Sequence, residues 1–307
     1  MARTCSPLRY PGGKSNLFHL VRAILRKNDI GRGHYAEPFA GGAGLALMLL
    51  YSGEVCEIHI NDLDPAIAAF WRSVLTRTEE LISLIQTTKV TIEERSRQRE
   101  IYFNGEAKDE LSIGFSAFFL NRVNRSGIIR TGGAIGGISQ KGKYLIDCRY
   151  NASELSERIR RIAKYRSRIH FSSMDARDFI KSIDGELPRR SLIYADPPYF
   201  KKGSELYTSF FRQNDHEEFR DSISSINSKW ILTYDNVDEI KELYLRNKQF
   251  PFSVYYSAQT KRSGDELLVA SDTLKVSEAV DAFMMTAGRK PREQDKGDRV
   301  PPTGVFV

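Results

Sequence analysis

An apolar run that stops at two prolines is the feature that most limits how this chain can fold. The run Ser191–Ala195 reads SLIYA, and residues 196–199 directly after it read DPPY. A short apolar run closed by a turn signal predicts a buried strand that ends abruptly. In an open α/β sheet, ligands bind at the carboxyl ends of the strands. The run therefore predicts a sheet strand and also where a binding site would lie.

The residues after this strand suit a flat heterocycle that bears an exocyclic amine. The Asp196 carboxylate and the backbone carbonyl of Pro197 can each accept one amine hydrogen, and the Tyr199 ring can stack on the heterocycle. The alternative is that residues 196–199 form only a tight turn that ends the strand. The remaining motifs favour a site.

Strand and helix signals alternate on both sides of a mostly helical middle segment. The patterns predict helices at 15–26 and from 45 to 51, and strands at 35–39, 57–60, 169–172, 192–195, 230–234, 252–256 and 267–270. This alternation implies an α/β fold with a mainly parallel sheet, so the middle segment is predicted to be an insertion. The predicted organisation is a sheet domain of residues 1–69 and 166–274, an inserted domain of residues 70–165, and a polar, mobile tail of residues 275–307.

Composition limits the class of protein further. With 46 Lys and Arg against 39 Asp and Glu, the net charge is +7, which favours a polyanionic partner. No run approaches the roughly 18 apolar residues of a membrane span, and the start lacks the apolar stretch of a secretory signal. Cys5, Cys56 and Cys148 are widely spaced and match no metal pattern. The expectation is a reduced, cytoplasmic protein with no metal and no membrane contact.

The basic residues concentrate in two stretches without acids. Residues 122–143 contain five Lys or Arg side chains interleaved with glycines, and residues 158–168 contain six. Glycines let the backbone approach a ligand closely, so the first stretch suits contacts with phosphates. For the second stretch, a solvated helix face is an equally good interpretation.

Three further motifs predict a cofactor pocket. The sequence EPFAGGAG at residues 37–44 follows a short strand and opens a helix, although many plain β–α turns look similar. Asp62 follows the next strand, and its carboxylate can accept hydrogen bonds from ribose hydroxyls. The alternative is that Asp62 caps a helix, a role that Asp64 fits better. Asp175 follows a third strand and could accept a hydrogen bond from an adenine amine or cap a helix. Residues 9–14 read RYPGGK, which lacks the spacing of a phosphate-binding loop but could cover a small zwitterionic cofactor.

Five motifs in this order resemble the DNA adenine methylase family of S-adenosylmethionine-dependent methyltransferases. They are YPGGK at 10–14, EPFAGGAG at 37–44, ND at 61–62, FFLNR at 118–122 and DPPY at 196–199, and the similarity covers about residues 7 to 274. The resemblance implies a Rossmann-like methyltransferase sheet with helices on both faces and an inserted, mainly helical target-recognition domain. Around residues 131–137 the chain departs from the family, which leaves open the DNA sequence that is read.

The resemblance also implies roles for individual residues. The implied catalytic residues are Asp196, Pro197, Pro198 and Tyr199. The implied cofactor contacts are Tyr10, Gly12, Lys14, Phe39, Gly41, Gly44, Asp62, Asp175 and Asp196. The implied DNA contacts are Asn121, Arg122, Arg125, Arg130, Lys141 and Lys201, the last in a loop that would close over a flipped base or else be merely solvated.

The implied activity is transfer of a methyl group from S-adenosylmethionine to the N6 amine of an adenine flipped out of double-stranded DNA. Positioning and electrostatics would do most of the work, in a direct in-line transfer that needs no metal. Two alternatives stay open. The protein could methylate the N4 amine of cytosine, or it could be a DNA-binding homologue that has lost catalysis. The expected protein is a monomer or weak dimer in a prokaryotic cell or phage, with a partner restriction nuclease as one open biological setting.

Overall fold

Seven strands form a single sheet in the order β3-β2-β1-β4-β5-β7-β6. A computed structural model of the chain describes residues 5–10, 13–104, 109–200, 211–256 and 262–287. The strands are β1 (Gly33–Glu37), β2 (Val55–Asn61), β3 (Ile169–Ser172), β4 (Ser191–Ala195), β5 (Lys229–Asp235), β6 (Lys248–Tyr256) and β7 (Arg262–Ala270). Strands β1 to β5 pair in parallel, whereas β7 runs antiparallel to both of its neighbours.

Helices join most of the strands. Those described are α1 (Phe18–Lys27), α2 (Gly44–Tyr51), α3 (Pro65–Thr76), α4 (Thr78–Thr87), α5 (Ile92–Phe103), α6 (Glu110–Val123), α7 (Ala152–Lys164), α8 (Ala176–Asp184), α9 (Gln213–Ser224), α10 (Asp238–Leu243) and α11 (Ser277–Ala287). A 3-10 turn at Lys14–Leu17 leads into α1. No helix in these described ranges is both long and apolar enough to cross a membrane.

Two apolar clusters cover the two faces of the sheet. All five residues of β4 are buried, and neighbours along it point to opposite faces, so Leu192 joins one cluster and Ile193 the other. The first cluster includes residues of α1, α2, α3 and α6, and the second includes residues of α8 and α9. The predicted α/β class with helices on both faces is confirmed.

The order of the strands defines one place where ligands are expected. From β1 the chain moves outward to β2 and β3, and then returns to β4 on the other side of β1. The carboxyl ends of β1 and β4 therefore flank the switch point, where open α/β sheets bind ligands. The glycine-rich turn after β1 and the DPPY motif after β4 both lie at this edge.

The middle segment packs closely against the sheet domain. Phe70 of α3 stacks on Phe118 of α6 at 5.8 Å between ring centroids, and both rings belong to the same apolar cluster as the strand residue Ile58. The middle helices thus share a core with the sheet. Whether residues 70–165 act as a separate recognition domain stays a prediction.

The first part of the predicted tail forms a helix that packs on the sheet domain. Residues 277–287 form α11, and Val280 is buried. Phe283 packs on Phe252 of β6, and the Lys27 ammonium pairs with Glu278 at 2.5 Å. Residues 276, 279, 280 and 283 are apolar and lie on one helix face, a spacing that the polar composition of this segment obscured. Residues 288–307 lie outside the described part of the chain.

Candidate active site

Strand order brings four polar side chains together around the carboxyl end of β4. Lys14 Nζ lies 3.2 Å from Asp196 Oδ1 and 3.1 Å from Glu266 Oε1, and it donates to the Tyr199 hydroxyl at 2.5 Å. The Tyr199 hydroxyl also donates to Glu266 Oε1 at 2.5 Å. Residues from the RYPGGK segment at 9–14 (the N-terminal motif), the DPPY motif and the antiparallel strand β7 thus form one hydrogen-bonded network.

This network is buried and carries an excess of negative charge. The side chains of Lys14 and Glu266 are 5% and 2% exposed, and that of Asp196 is 19% exposed. Burial and the nearby charge of Glu266 raise the pKa of Asp196, to about 6, while Lys14 and Thr233 oppose the increase. A single ammonium therefore holds two carboxylates in place.

Asp196 is held through one of its two carboxylate oxygens. Lys14 Nζ and the hydroxyl of Thr233 both contact Oδ1, the latter at 3.1 Å. Because the Thr233 hydrogen is used in this way, the Tyr194 hydroxyl, at 2.7 Å, must donate to the Thr233 oxygen. Among the described residues, these contacts fix the orientation of the carboxylate and leave Oδ2 as an acceptor for a ligand.

Sequence reasoning missed three members of this site. Glu266 had no predicted role, and Thr233 and Tyr194 lay unremarked inside predicted strands. One signal for Glu266 was available, since it is an acid at the start of the buried run of β7. A carboxylate is rarely buried without a partner, so its position indicated a charged or polar neighbour. Its Oε2 is buried and makes no hydrogen bond within the part of the chain that the structure describes.

The glycine-rich turn after β1 lies against residues of two other motifs. Gly41 has a φ of +47°, and a Cβ there would lie 2.7 Å from the Tyr10 ring, so only glycine fits. The Gly41 N–H donates to Asp62 Oδ2 at 2.8 Å, and its carbonyl accepts from the Trp71 indole at 2.9 Å. The predicted cofactor residues Tyr10, Gly41 and Asp62 are therefore neighbours.

Asp62 and Asp64 have different tasks. Asp64 caps α3, because its side chain accepts from the N–H groups of Ala66 and Ile67. Asp62 accepts from two backbone N–H groups, that of Asp64 at 3.0 Å and that of Gly41. Burial raises the pKa of Asp62 to about 6. The side chain is partly exposed at the end of β2, so its oxygens keep acceptor capacity toward the site.

The other predicted cofactor residues have structural partners. Gly44 begins α2, and a Cβ there would lie 2.6 Å from Ser15 Oγ. Asp175 caps α8 and is bound by the guanidinium of Arg177, so the capping interpretation describes its contacts. The Phe39 ring packs against rings of the second apolar cluster, 5.3 Å from that of Phe219.

Two of the predicted DNA contacts, Asn121 and Arg122, are buried. The Asn121 amide accepts from the Arg9 N–H at 2.6 Å and donates to the Arg9 carbonyl at 2.7 Å. Arg122 donates to the carbonyls of Arg149 and Pro7. Burial and nearby arginines lower the pKa of Arg122 to about 9. Both side chains anchor the N-terminal motif to α6, a task that their charge and polarity did not reveal.

The other basic residues of the first stretch are exposed. Arg125, Arg130 and Lys141 all face solvent in the loop that follows α6. A Cβ on Gly127, which has a φ of +78°, would lie 2.2 Å from the Arg9 carbonyl, so this loop lies directly against the N-terminal motif. The loop is therefore adjacent to the segment that leads into Lys14.

The second basic stretch is used within the fold. Arg158 donates to the Ser6 carbonyl at 2.9 Å and pairs with Glu154, and Arg168 donates to the Cys56 carbonyl. Arg160 pairs with Glu79 at 3.3 Å. Three of the six basic side chains of residues 158–168 therefore have partners within the fold. The predicted contacts Gly12 and Lys201 lie outside the described residues.

His216, in α9, is buried. The residue is 2% exposed, and its Nδ1 lies 2.9 Å from the Tyr234 hydroxyl. The cap at the start of α9 comes from Asp215, which accepts from the Arg212 N–H at 2.7 Å.

Comparison with known proteins identifies one family. The family model described as D12 class N6 adenine-specific DNA methyltransferase matches residues 10–262. No curated protein matches the chain. The matched range contains Lys14 and Asp196 but ends before Glu266.

Proposed function

The chain belongs to the D12 class N6 adenine-specific DNA methyltransferases, and from this we propose which of its residues perform the reaction and which bind S-adenosylmethionine and DNA. Members of this class methylate the N6 amine of adenine in DNA, so the cytosine alternative is disfavoured. The observation that carries the proposal is the Asp196 carboxylate at the switch point of the sheet, with Oδ1 held by Lys14 and Thr233.

Asp196 and Pro197 prepare the adenine amine for attack. The amine lone pair is delocalised into the ring, so it is a poor nucleophile. In our proposal Asp196 Oδ2 accepts one amine hydrogen and the Pro197 carbonyl accepts the other, which directs the lone pair out of the ring plane. Because Lys14 and Thr233 already hold the carboxylate, little reorganisation is needed when the base arrives.

Tyr199 offers its ring to the flipped base. Its hydroxyl is held by Glu266 and Lys14, which fixes the side chain before the base enters. An aromatic ring fixed in this way can stack on adenine and offset the cost of removing the base from the duplex.

The residues near the glycine-rich turn fit a nucleoside cofactor. Asp62 offers carboxylate oxygens for ribose hydroxyls, and Tyr10 and Gly41 lie beside it. Bound S-adenosylmethionine would supply an electrophilic methyl group. The chain's own task is to hold that group in line with the amine, between the ends of β1 and β4.

We expect Asp62→Ala to weaken S-adenosylmethionine binding by about 1.5–3 kcal/mol, the scale of a hydrogen bond to a charged group. Calorimetry on the DNA-free protein measures the loss, and Asp64→Ala is the matched control, because it removes only the cap of α3. Normal cofactor affinity in Asp62→Ala would mean that Asp62 only accepts the backbone N–H groups of Gly41 and Asp64.

The exposed loop after α6 is the proposed DNA-facing surface. We expect Arg125→Ala and Arg130→Ala each to weaken binding to all DNA sequences alike. Each should also reduce the slope of log affinity against log salt by about one unit, since each guanidinium would neutralise one phosphate. Salt titrations on two unrelated duplexes measure both effects. Unchanged slopes in both variants would mean that the loop does not contact DNA.

The activity itself is tested by sequencing DNA with detection of modified bases. DNA from cells without adenine methylation of their own should gain N6-methyladenine in one sequence context when they express this protein. Cells that express Asp196→Ala at the same level should gain none. Modified cytosine in place of adenine, or no modification at all, would overturn the proposal.

A further inference from the structure

Three neighbouring strands carry a polar stripe on one face of the sheet. His34 on β1 is in register with Glu57 on β2, and His59 on β2 is in register with His170 on β3. Glu57 and His59 are two residues apart, so both point to the same face of β2. All four side chains therefore share one face, where a sheet interior would normally carry apolar residues.

The side chains are close enough to share one ion. His34 Nδ1 lies 3.0 Å from His59 Nε2, and one ligand atom from each of His34, Glu57 and His59 lies within 4.8 Å of the others. Glu57 Oε2 is 2.6 Å from His170 Nε2, and Glu57 Oε1 is 4.0 Å from His34 Nε2. The imidazole rings are nearly parallel, with centroids 5.2 and 4.6 Å apart along the stripe.

The cluster is accessible and is separate from the active site. The side chains of His34, Glu57 and His170 are 19%, 35% and 48% exposed, so an ion can enter from solvent. Lys14, Asp196 and Glu266 make no contact with this stripe among the described interactions, and the proposed methyl transfer uses none of its residues. Three of the five histidines in the chain nonetheless meet here.

We propose that His34, Glu57 and His59 form a binding site for a divalent transition metal of the zinc class, with His170 orienting Glu57. Imidazole nitrogens with a carboxylate oxygen are a zinc ligand set, whereas magnesium and calcium prefer oxygen ligands alone. Two nitrogen ligands of a tetrahedral zinc lie about 3.3 Å apart, close to the separation of the two imidazole nitrogens. To bind one ion, the two rings would turn so that both lone pairs face it.

Such an ion would tie β1 and β2 together through side chains. The ligands come from two strands, and the hydrogen bond from His170 extends the connection to β3 at the edge of the sheet. A residue such as His170, which hydrogen-bonds to a metal ligand, orients that ligand. Loss of such a residue typically lowers metal affinity about 10–100-fold. Binding to the folded state alone would also raise the unfolding temperature.

The experiment uses the full chain without an affinity tag, freed of metal with a chelator. Zinc is titrated against a chromophoric competitor, and bound metal is counted after equilibrium dialysis. We expect one zinc per chain and a higher unfolding temperature with zinc. His59→Ala and Glu57→Gln should each weaken binding at least about tenfold, and His170→Ala should weaken it about tenfold through Glu57.

His19→Ala is the matched control, because His19 is exposed on α1 and outside the stripe. It should bind zinc as the unaltered chain does. Circular dichroism shows whether each variant is folded, and His34→Gln replaces any variant that is not. Less than half a zinc per chain in the unaltered protein, or equal zinc affinity in folded His59→Ala and His19→Ala, would overturn the proposal.

Discussion

Asp196→Ala is expected to lower the rate of methyl transfer at least about a hundredfold, equivalent to about 3 kcal/mol of barrier. The variant loses the acceptor that orients the amine, and it also releases the Lys14 and Thr233 contacts that hold that acceptor. Single-turnover transfer of labelled methyl groups to DNA measures the loss. An activity within threefold of the unaltered enzyme would contradict the assignment.

The protonation state of Asp196 gives an independent check. Burial raises the pKa of this carboxyl group to about 6, and only the ionised form accepts a hydrogen from the amine without competing as a donor. Protonation therefore removes the acceptor as the pH falls. At saturating cofactor, kcat/KM for DNA should decrease about tenfold per pH unit below about 6.

Asp62 has a pKa near the same value, so Asp62→Asn is the control for this profile. If Asp196 is responsible, the decrease of kcat/KM at low pH (the acid limb) is still seen in Asp62→Asn. The residual activity of Asp196→Asn should then lack this decrease. An acid limb that moves with Asp62 instead would assign the pH dependence to the cofactor pocket.

Lys14→Met is expected to remove activity and to lower the free energy of unfolding by about 3–5 kcal/mol. The substitution leaves the buried carboxylates of Asp196 and Glu266 without their shared cation. Their repulsion would destabilise the fold and displace the Asp196 carboxylate from its position. Chemical denaturation measures the stability, and methyl transfer measures the activity.

A second substitution separates charge from packing. Glu266→Gln removes one negative charge but keeps the shape of the side chain, so Lys14→Met with Glu266→Gln should be more stable than Lys14→Met alone. A double-mutant cycle over the four proteins gives this coupling energy. A coupling near zero would mean that Lys14 and Glu266 do not interact in solution. By itself, Glu266→Gln should retain its fold and lose part of its activity, because Lys14 then loses one of its two charged partners.

Local pattern in the sequence was enough to find the strands and the edge of the sheet that carries the site. The predicted strand at 169–172 has the observed bounds of β3, and the run at 192–195 lies within β4. Both signals are local, because an apolar run and a following pair of prolines act on the backbone where they occur. The glycine-rich turn after β1 was found for the same reason, since Gly41 needs a positive φ that few other residues adopt.

Contacts between distant residues were decided only by the tertiary structure. Lys14 and Glu266 are 252 residues apart, and they meet because β7 inserts antiparallel between β5 and β6. The pattern of apolar residues within β7 predicts a strand but not its neighbours. For this reason Glu266 had no role until the order of the strands was known.

Charge in the sequence likewise left open where each basic residue lies. Arg122 and Arg125 are three residues apart in one acid-free stretch, yet Arg122 is buried against backbone carbonyls and Arg125 is exposed. What separates them is the end of α6: Arg122 lies within its last turn and faces the N-terminal motif, and Arg125 lies beyond it. A buried guanidinium is stable only where carbonyls converge on it, and which carbonyls converge is decided by the packing of the whole chain.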